Sequence, residues 1–218
     1  MHLLAVNDVS QLNQLILTHL DQDHRGGYES IKHDFPIKKV YSNEQVDVEN
    51  LSQFDYCRQG QQWHWSDRVN ITVLSPKPEH LAKAKFEKNE MSCVVYLQVK
   101  NVQPYQNFLL MGDAGWETEY HILQAYPDLK VDVLVLGHHG SRHSSAYHFL
   151  KQLKPKLTVA SAGWNNRYGH PSVMVESRLK DLNMPLLTTI EHGSIRFFKQ
   201  KNIMSIAFQR DSQRWLKH

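Results

Sequence analysis

The chain has 218 residues, 41% of them hydrophobic and 22% charged, which suits one globular domain and excludes a disordered or fibrous protein. Its 25 Lys and Arg against 22 Asp and Glu leave a net charge of +3, short of the strongly basic balance of a dedicated nucleic-acid binder. No run approaches the roughly 18 to 20 apolar residues that span a bilayer, and the start MHLLAVNDVSQLNQ lacks a secretion signal, so the chain as written reads as soluble, and cytoplasmic if expressed alone.

In chain order, the apolar run Leu15 to Thr18 and the β-type run Ile37 to Tyr41 flank a helix-like Tyr28 to Asp34, a strand, helix, strand reading. Tyr56 to Trp65 reads as two short strands around Gly60, and Val69 to Leu74 alternates as a half-buried strand does until Ser75-Pro76-Lys77-Pro78 ends it. Residues 79 to 90 are charged and predict a loop or short helix. Cys93 to Val99 and Phe108 to Met111 predict paired strands, and Trp116 to Ala125 a helix. Val131 to Leu136 is a strong strand, followed by a strand over Thr158 to Ala162 and a helix over Ser172 to Leu182. Leu186 to Ile190 and Ser194 to Phe198 close the chain as strands. No repeat or linker interrupts this pattern, which predicts one layered α/β (α+β) domain over 1–218. Histidine is the unusual count at 14, against only two cysteines. Cys57 and Cys93 form no CxxC pair and predict no disulfide framework, which is compatible with a reducing compartment without excluding the periplasm.

The densest chemical signal is Thr18-His19-Leu20-Asp21-Gln22-Asp23-His24-Arg25-Gly26-Gly27, directly after a strand. Four potential ligands within six residues, followed by two glycines, can aim several side chains at one centre. Helix capping by Asp21 or Asp23 is the bland alternative, and it leaves His19 and His24 without a role. Asp113, between Gly112 and Gly115 at a strand end, reads by itself as a turn or cap residue. His138 and His139 leave a strand and enter the Gly140-Ser141 turn, where at least one is expected to be a ligand. His170 in Tyr168-Gly169-His170-Pro171 reads equally as a ligand, a phosphate contact or an ordinary turn residue.

His19-x-Asp21-x-Asp23-His24 resembles the HxHxDH metal signature of the metallo-β-lactamase fold, with Asp21 in place of its second histidine. With Asn89-Glu-Met-Ser92-Cys93, Met111-Gly112-Asp113, His138-His139-Gly140-Ser141 and Asn166-Arg-Tyr-Gly169-His170-Pro171 in the same order, the chain is similar to the C-terminal domain of the ComEC family of DNA-internalisation (competence) proteins. Asp55-Tyr56-Cys57 through Trp63-His64-Trp65 to Leu74-Ser75-Pro76 fits the same family.

The resemblance implies a four-layered αββα metallo-β-lactamase sandwich and a metal-dependent nuclease acting in natural transformation. Only 18 residues precede His19, so the fold's first β-hairpin is expected to be missing. By the same resemblance His19 and Asp21 hold one divalent ion, Asp23 and His24 the other, and Asp113 bridges them. His138 or His139, with His138 slightly favoured, completes the second site. Asp23 doubles as the catalytic acceptor of the nucleophile's hydrogen bond, and His170 or a metal-bound water is expected to protonate the leaving oxygen. Ser141, Arg142, Asn166 and Arg167 are the expected substrate-binding positions, with Lys151 as a further phosphate contact. Trp63, Trp65, Trp164 and Tyr168 are candidates for stacking on bases. Asp21 makes the first site richer in oxygen, which shifts preference from zinc toward manganese or magnesium. The implied partners are DNA, single-stranded by preference, and the membrane channel portion of the full-length family protein. That protein belongs to the inner membrane, with this domain on its periplasmic or outer side. Two alternatives stay open: another hydrolase of the same fold, acting on a lactone, thioester or small phosphodiester, and a non-catalytic remnant poor in metal.

Overall fold

A computed structural model describes residues 8–81 and 88–210. In chain order its elements are β1 (Leu15–Ile16), α1 (Gln22–Arg25), α2 (Tyr28–Asp34), β2 (Val40–Ser42), β3 (Phe54–Tyr56), β4 (Gln62–Ser66), β5 (Val69–Ser75), α3 (Pro78–Leu81), β6 (Val94–Val99) and β7 (Asn107–Leu110). They continue with α4 (Trp116–Ala125), β8 (Val133–Val135), α5 (Tyr147–Leu153), β9 (Leu157–Ala160), α6 (Val173–Asp181), β10 (Leu186–Thr188), α7 (Thr189–His192), β11 (Ile195–Gln200) and β12 (Ile203–Phe208). Part of the charged stretch expected as a loop or short helix, 82–87, lies outside the described residues.

The central sheet has the order β10-β9-β8-β7-β6-β5-β4, antiparallel from β4 to β7 and parallel from β7 to β10. The parallel half is joined through α4, α5 and α6 as successive strand, helix, strand crossovers. Its strands are apolar on both faces, as β8 shows with Val133 at 0% and Leu134 at 1% exposure.

Strand alternation assigns the layers. On one face Val94, Leu109, Leu134 and Ala160 pack against Ile122 and Leu123 of α4, Phe149 and Leu150 of α5, and Val175 and Leu179 of α6. On the other, Phe108, Val133, Leu157 and Val159 pack against Met204, Phe197 and Ile206 of the β11/β12 hairpin. Farther along that second face Val73 and Cys93 meet Ile16 and Tyr41 of the parallel β1-β2-β3 sheet. The outer side of that small sheet, through Leu17 and Val40, is covered by Tyr28 of α2. The order is therefore helices, large sheet, small sheet with hairpin, and helix. This is the αββα arrangement expected of the metallo-β-lactamase fold. Among the described residues only an isolated bridge, Leu12 to Ile37, precedes β1.

Three local readings change. The strand expected over Leu186 to Ile190 stops at Thr188, because the Thr188 hydroxyl accepts from Glu191 N–H and starts α7. Helix α5 and strand β12 carried no sequence signal. The two-residue loop before β12 places its positive φ on Lys201, which announces no hairpin turn.

The reading of the cysteines is corrected as well. Cys57, just after β3, and Cys93, just before β6, are fully buried and form a disulfide across 36 residues of sequence, tying the small sheet to the large one. Spacing could not reveal it, because only the packing of the two sheets brings the residues together. Closing a loop of this length is worth about 4 kcal/mol in chain entropy. Reduction, or the Cys57→Ser variant, is expected to lower the melting temperature by roughly 10 °C. An unchanged melting temperature under reductant would show that the bond contributes nothing.

Candidate metal centre

Four loops at the carboxyl ends of β1, β7, β8 and β9 deliver side chains to one end of the central sheet, the usual place for a site on parallel strands. Thr18 lies at the base of the first loop. Its hydroxyl is 3.3 Å from His19 Nδ1 and 3.1 Å from His24 Nδ1, which holds both rings with Nε2 facing inward. Asp21 starts α1, but its side chain makes no capping hydrogen bond, so capping does not account for this motif.

Asp113 is the hub. It is 4% exposed, with its backbone N–H donating to Ser92 Oγ at 3.1 Å. Gly112 before it has φ +57°, and a Cβ there would lie 3.0 Å from both Ser92 and Thr18, so a side chain would push the carboxylate out of place. Around the carboxylate stand His24 Nε2 at 3.0 Å, His19 Nε2 and His139 Nε2 each at 3.6 Å, and His138 Nε2 at 3.7 Å. A second group forms beside it, with His139 Nε2 3.1 Å from Asp23 Oδ2 and 3.2 Å from His24 Nε2.

Two sets of three ligand atoms result, His19 with His24 and Asp113, and Asp23 with His24 and His139, each set lying within 4.8 Å. His24 Nε2 lies within reach of both, and its one lone pair can serve a single ion. Of the adjacent histidines it is His139, not the slightly favoured His138, that joins the second set. His138 lies instead between Asp113 and Asn89, whose Nδ2 is 3.5 Å away. Asp21 reaches 3.7 Å from His19 Nε2 at the rim, about half exposed, and joins neither set.

Two observations show that these residues fit divalent cations. Among the described residues His19 Nε2 is buried without a hydrogen-bond partner, its nearest carboxylate oxygens lying at 3.6 and 3.7 Å, which is costly unless something else satisfies it. Imidazole nitrogens and carboxylate oxygens are also the donor types that bind zinc and manganese. Burial, then His24, lowers the His19 pKa. Burial would lower His24 too, but the Asp113 carboxylate outweighs it, helped by Asp23 and Asp21, and His24 ends above its ordinary value. Burial would raise Asp113, but His24 first, then His139 and His138, hold it below the usual carboxylate range.

The turn after β8 is held under strain. His138 and His139 both have positive φ, 47° and 56°, sparsely populated for residues with a side chain. The segment that follows locks them in place. Ser144 Oγ lies 2.6 Å from Gly137 O and 2.9 Å from Ser141 O. Arg178 donates to Ser144 O and Ser145 O, while buried Glu119 of α4 accepts from the N–H groups of Ser145 and Ala146. Sequence reading missed Thr18 and Glu119. Glu119 did carry a signal, since it lies three and four residues before Ile122 and Leu123 and so shares the apolar face of α4.

Burial pushes the Glu119 carboxyl up to about 7, Glu90 adding to it while the N–H groups of Ala146 and Ser145 pull the other way. Its folded value lies above its unfolded one, so its contribution to stability is full below about pH 4.5 and is lost as pH rises through 7. The loss amounts to about 3 kcal/mol in all. Thermal melts from pH 4.5 to 8 are expected to fall more steeply for the native chain than for Glu119→Gln, and equal slopes would refute the assignment.

The remaining expected residues divide. His170 faces the centre, its ring 5.8 Å from that of His138, with Nδ1 buried and unpartnered. Burial, then His138 and His139, lowers its pKa. Ser141 is buried, with its N–H donating to His138 O and its hydroxyl accepting from His143 N–H. The Asn166 side chain is committed to the backbone of Gly163 and His170. Both side chains thus brace the turns that carry His138, His139 and His170. Arg142 and Arg167 are exposed. Trp63 packs on Tyr41, with ring centroids 4.7 Å apart.

No protein-family model matches the chain. It is 32% identical over 206 residues to ComE operon protein 3 of Bacillus subtilis strain 168, covering 89% of this chain and 25% of that protein. It is 32% identical over 190 residues to Competence protein ComA of Neisseria gonorrhoeae, covering 87% and 26%. It is 31% identical over 193 residues to Recombination protein 2 of Haemophilus influenzae, covering 87% and 23%. A solved structure from Parabacteroides distasonis ATCC 8503 overlaps 82% of this chain and 76% of its own at 13% identity with a TM-score of 0.49, a likeness too low to bear on function. No helix among the described residues is long and apolar enough to cross a membrane. The chain belongs to the ComEC family of competence proteins, and it spans about a quarter of the length of these curated members.

Proposed function

We propose that this chain is a metal-dependent hydrolase that cleaves DNA phosphodiester bonds during DNA uptake, with single-stranded DNA as its substrate. The observation that carries this reading is the convergence of His19, Asp23, His24, Asp113 and His139 at one strand-end site, with the buried His19 Nε2 left unsatisfied, in a chain of the competence family. Two divalent ions, manganese or zinc with magnesium as a third choice, would supply Lewis-acid activation of water and neutralise charge on the phosphoryl oxygens. His19, His24 and Asp113 would hold one, and Asp23 and His139 the other, because the single lone pair of His24 Nε2 can serve only one ion.

The chain's own residues then position the reaction. Asp23 is largely exposed at the mouth of the site and fixed by His139, so its free carboxylate oxygen can accept the nucleophile's hydrogen bond. His170 stands at the other side, where it serves the leaving oxygen. Arg142 and Arg167 offer exposed guanidinium groups to flanking phosphates. The membrane channel portion of the full-length family protein is the expected partner. The buried Cys57–Cys93 disulfide supports the periplasmic or outer side of the inner membrane, where such bonds persist.

The test is digestion of single-stranded against double-stranded DNA with Mn²⁺, Zn²⁺ or Mg²⁺, with EDTA as control and a lactone assay beside it. Cleavage of the single strand that EDTA abolishes is the expected result. Lactone hydrolysis without DNA cleavage would favour another hydrolase of this fold, and fewer than about one bound ion per chain would remove the metal-centre reading.

A further inference from the structure

A cavity of about 580 Å³ opens beside the metal centre, reaching from Asp23 and His139 past Ser161 and the 166–170 turn to Thr189 and Ser194. One wall is a column of near-parallel rings. His170 is tilted 24° from His139 at 6.4 Å between centroids, and Tyr168 is tilted 18° from His170 at 5.7 Å. Beyond them the Arg167 guanidinium carbon sits 4.7 Å from the Tyr168 ring centre. At these separations the parallel rings are offset like steps, which leaves part of each face free.

The Tyr168 hydroxyl accepts a hydrogen bond from the Arg167 guanidinium, so its ring is held by its neighbour and not by the core. Tyr168 is 66% exposed and belongs to none of the apolar clusters. The turn that carries it is nevertheless fixed, because Asn166 Oδ1 accepts from His170 N–H at 2.7 Å while Asn166 Nδ2 donates to His170 O at 2.8 Å and to Gly163 O at 3.0 Å. An exposed aromatic held rigidly in line with a metal-site histidine is a preorganised surface for a flat ligand.

From this geometry we infer that the Tyr168–His170 step, edged by Arg167, takes one unpaired nucleobase of a strand whose neighbouring phosphodiester lies at the metal centre. This rests on the phosphodiester reading of the site and names a specificity-determining residue for it, Tyr168. Stacking uses a base's face, which a duplex covers on both sides, so the step selects unpaired strands while tolerating any base. The guanidinium of Arg167 meets the same nucleotide through stacking or through its phosphate.

The experiment measures binding separately from cleavage. A short single-stranded DNA carrying 2-aminopurine is titrated with the native chain, Tyr168→Ala and Tyr168→Phe, beside a strand of the same length built from abasic residues, in Mn²⁺ and again in EDTA. For the base-bearing strand, Tyr168→Ala is expected to weaken affinity roughly 10- to 100-fold and to abolish quenching of 2-aminopurine on binding, with Tyr168→Phe behaving as the native chain. The abasic strand is expected to bind all three alike, and the melting temperature is expected to stay constant. Unchanged affinity for the base-bearing strand in Tyr168→Ala, an equal loss on the abasic strand, or no binding of single-stranded DNA by the native chain would each overturn the inference. Tyr168-dependent binding without metal-dependent cleavage would support this step while removing the nuclease reading, so the two fail separately.

Discussion

Asp113→Ala is expected to abolish metal-dependent DNA cleavage while leaving the metal-free fold intact. Four imidazoles, those of His19, His24, His138 and His139, stand 3.0 to 3.7 Å from this one carboxylate. Removing it takes away the one carboxylate that is buried among these imidazoles in the described residues and leaves the His19 and His24 set without an acidic member, with Asp23 remaining beside His139. Transition-state stabilisation by metal ions is worth several kcal/mol, so the rate is expected to fall on the order of 10³-fold or more. The fold should survive, because the hydrogen bond to Ser92 is made by the Asp113 backbone N–H and persists in alanine. Two measurements separate the outcomes. The melting temperature in EDTA is expected to stay within a few degrees of the native chain, and the rise in melting temperature on adding Mn²⁺ is expected to disappear. Cleavage at the native rate would place the chemistry elsewhere on the chain.

Gly137→Ala is expected to cost both stability and activity. A Cβ at Gly137 would lie 2.1 Å from the backbone carbonyl oxygen of Ala114, a clash that no rotamer relieves, so the β8 exit and the Asp113 loop must move apart. The cost is about 3 kcal/mol or more, which for a domain of this size lowers the melting temperature by about 10 °C. The displaced residues are His138 and His139, whose left-handed backbone depends on that approach, and a shift of about 1 Å at the reacting groups costs on the order of 10²-fold in rate. Gly27→Ala is the matched control: nothing lies within 4 Å of its Cβ position, and its φ of -88° suits any residue. That variant should melt and cleave as the native chain does. Equal behaviour of the two alanine variants would show that the close approach at Gly137 is not what sets the turn.

The Asp23-His24 and His138-His139 pairs were legible in the sequence because residue types rarely used for packing occur where apolar runs end. The strand and helix reading of β5, β6, β7, α4, β8 and α6 was legible for the same kind of local reason, since period and punctuation lie within a few neighbours. Such signals fixed the fold class and the ligand candidates. Four matters depended on distance in space. The ligand sets needed three loops to meet, and only there does His24 come within reach of both while His139 displaces His138. Ser141 and Asn166 also brace turns whose partners lie two to four residues away, in conformations that sequence does not announce. Glu119 reads as one more charge on a helix until α4 packs against the sheet and the carboxylate meets two N–H groups from 26 and 27 residues farther along the chain. The cysteines, 36 residues apart with no motif between them, pair only because the small sheet lies on the large one. The sequence by itself determined which residues have the chemistry of a metal centre and in what order they come. The tertiary structure alone decided which of their atoms meet, because ligation and disulfide pairing depend on ångström-scale distances between segments that are independent along the chain.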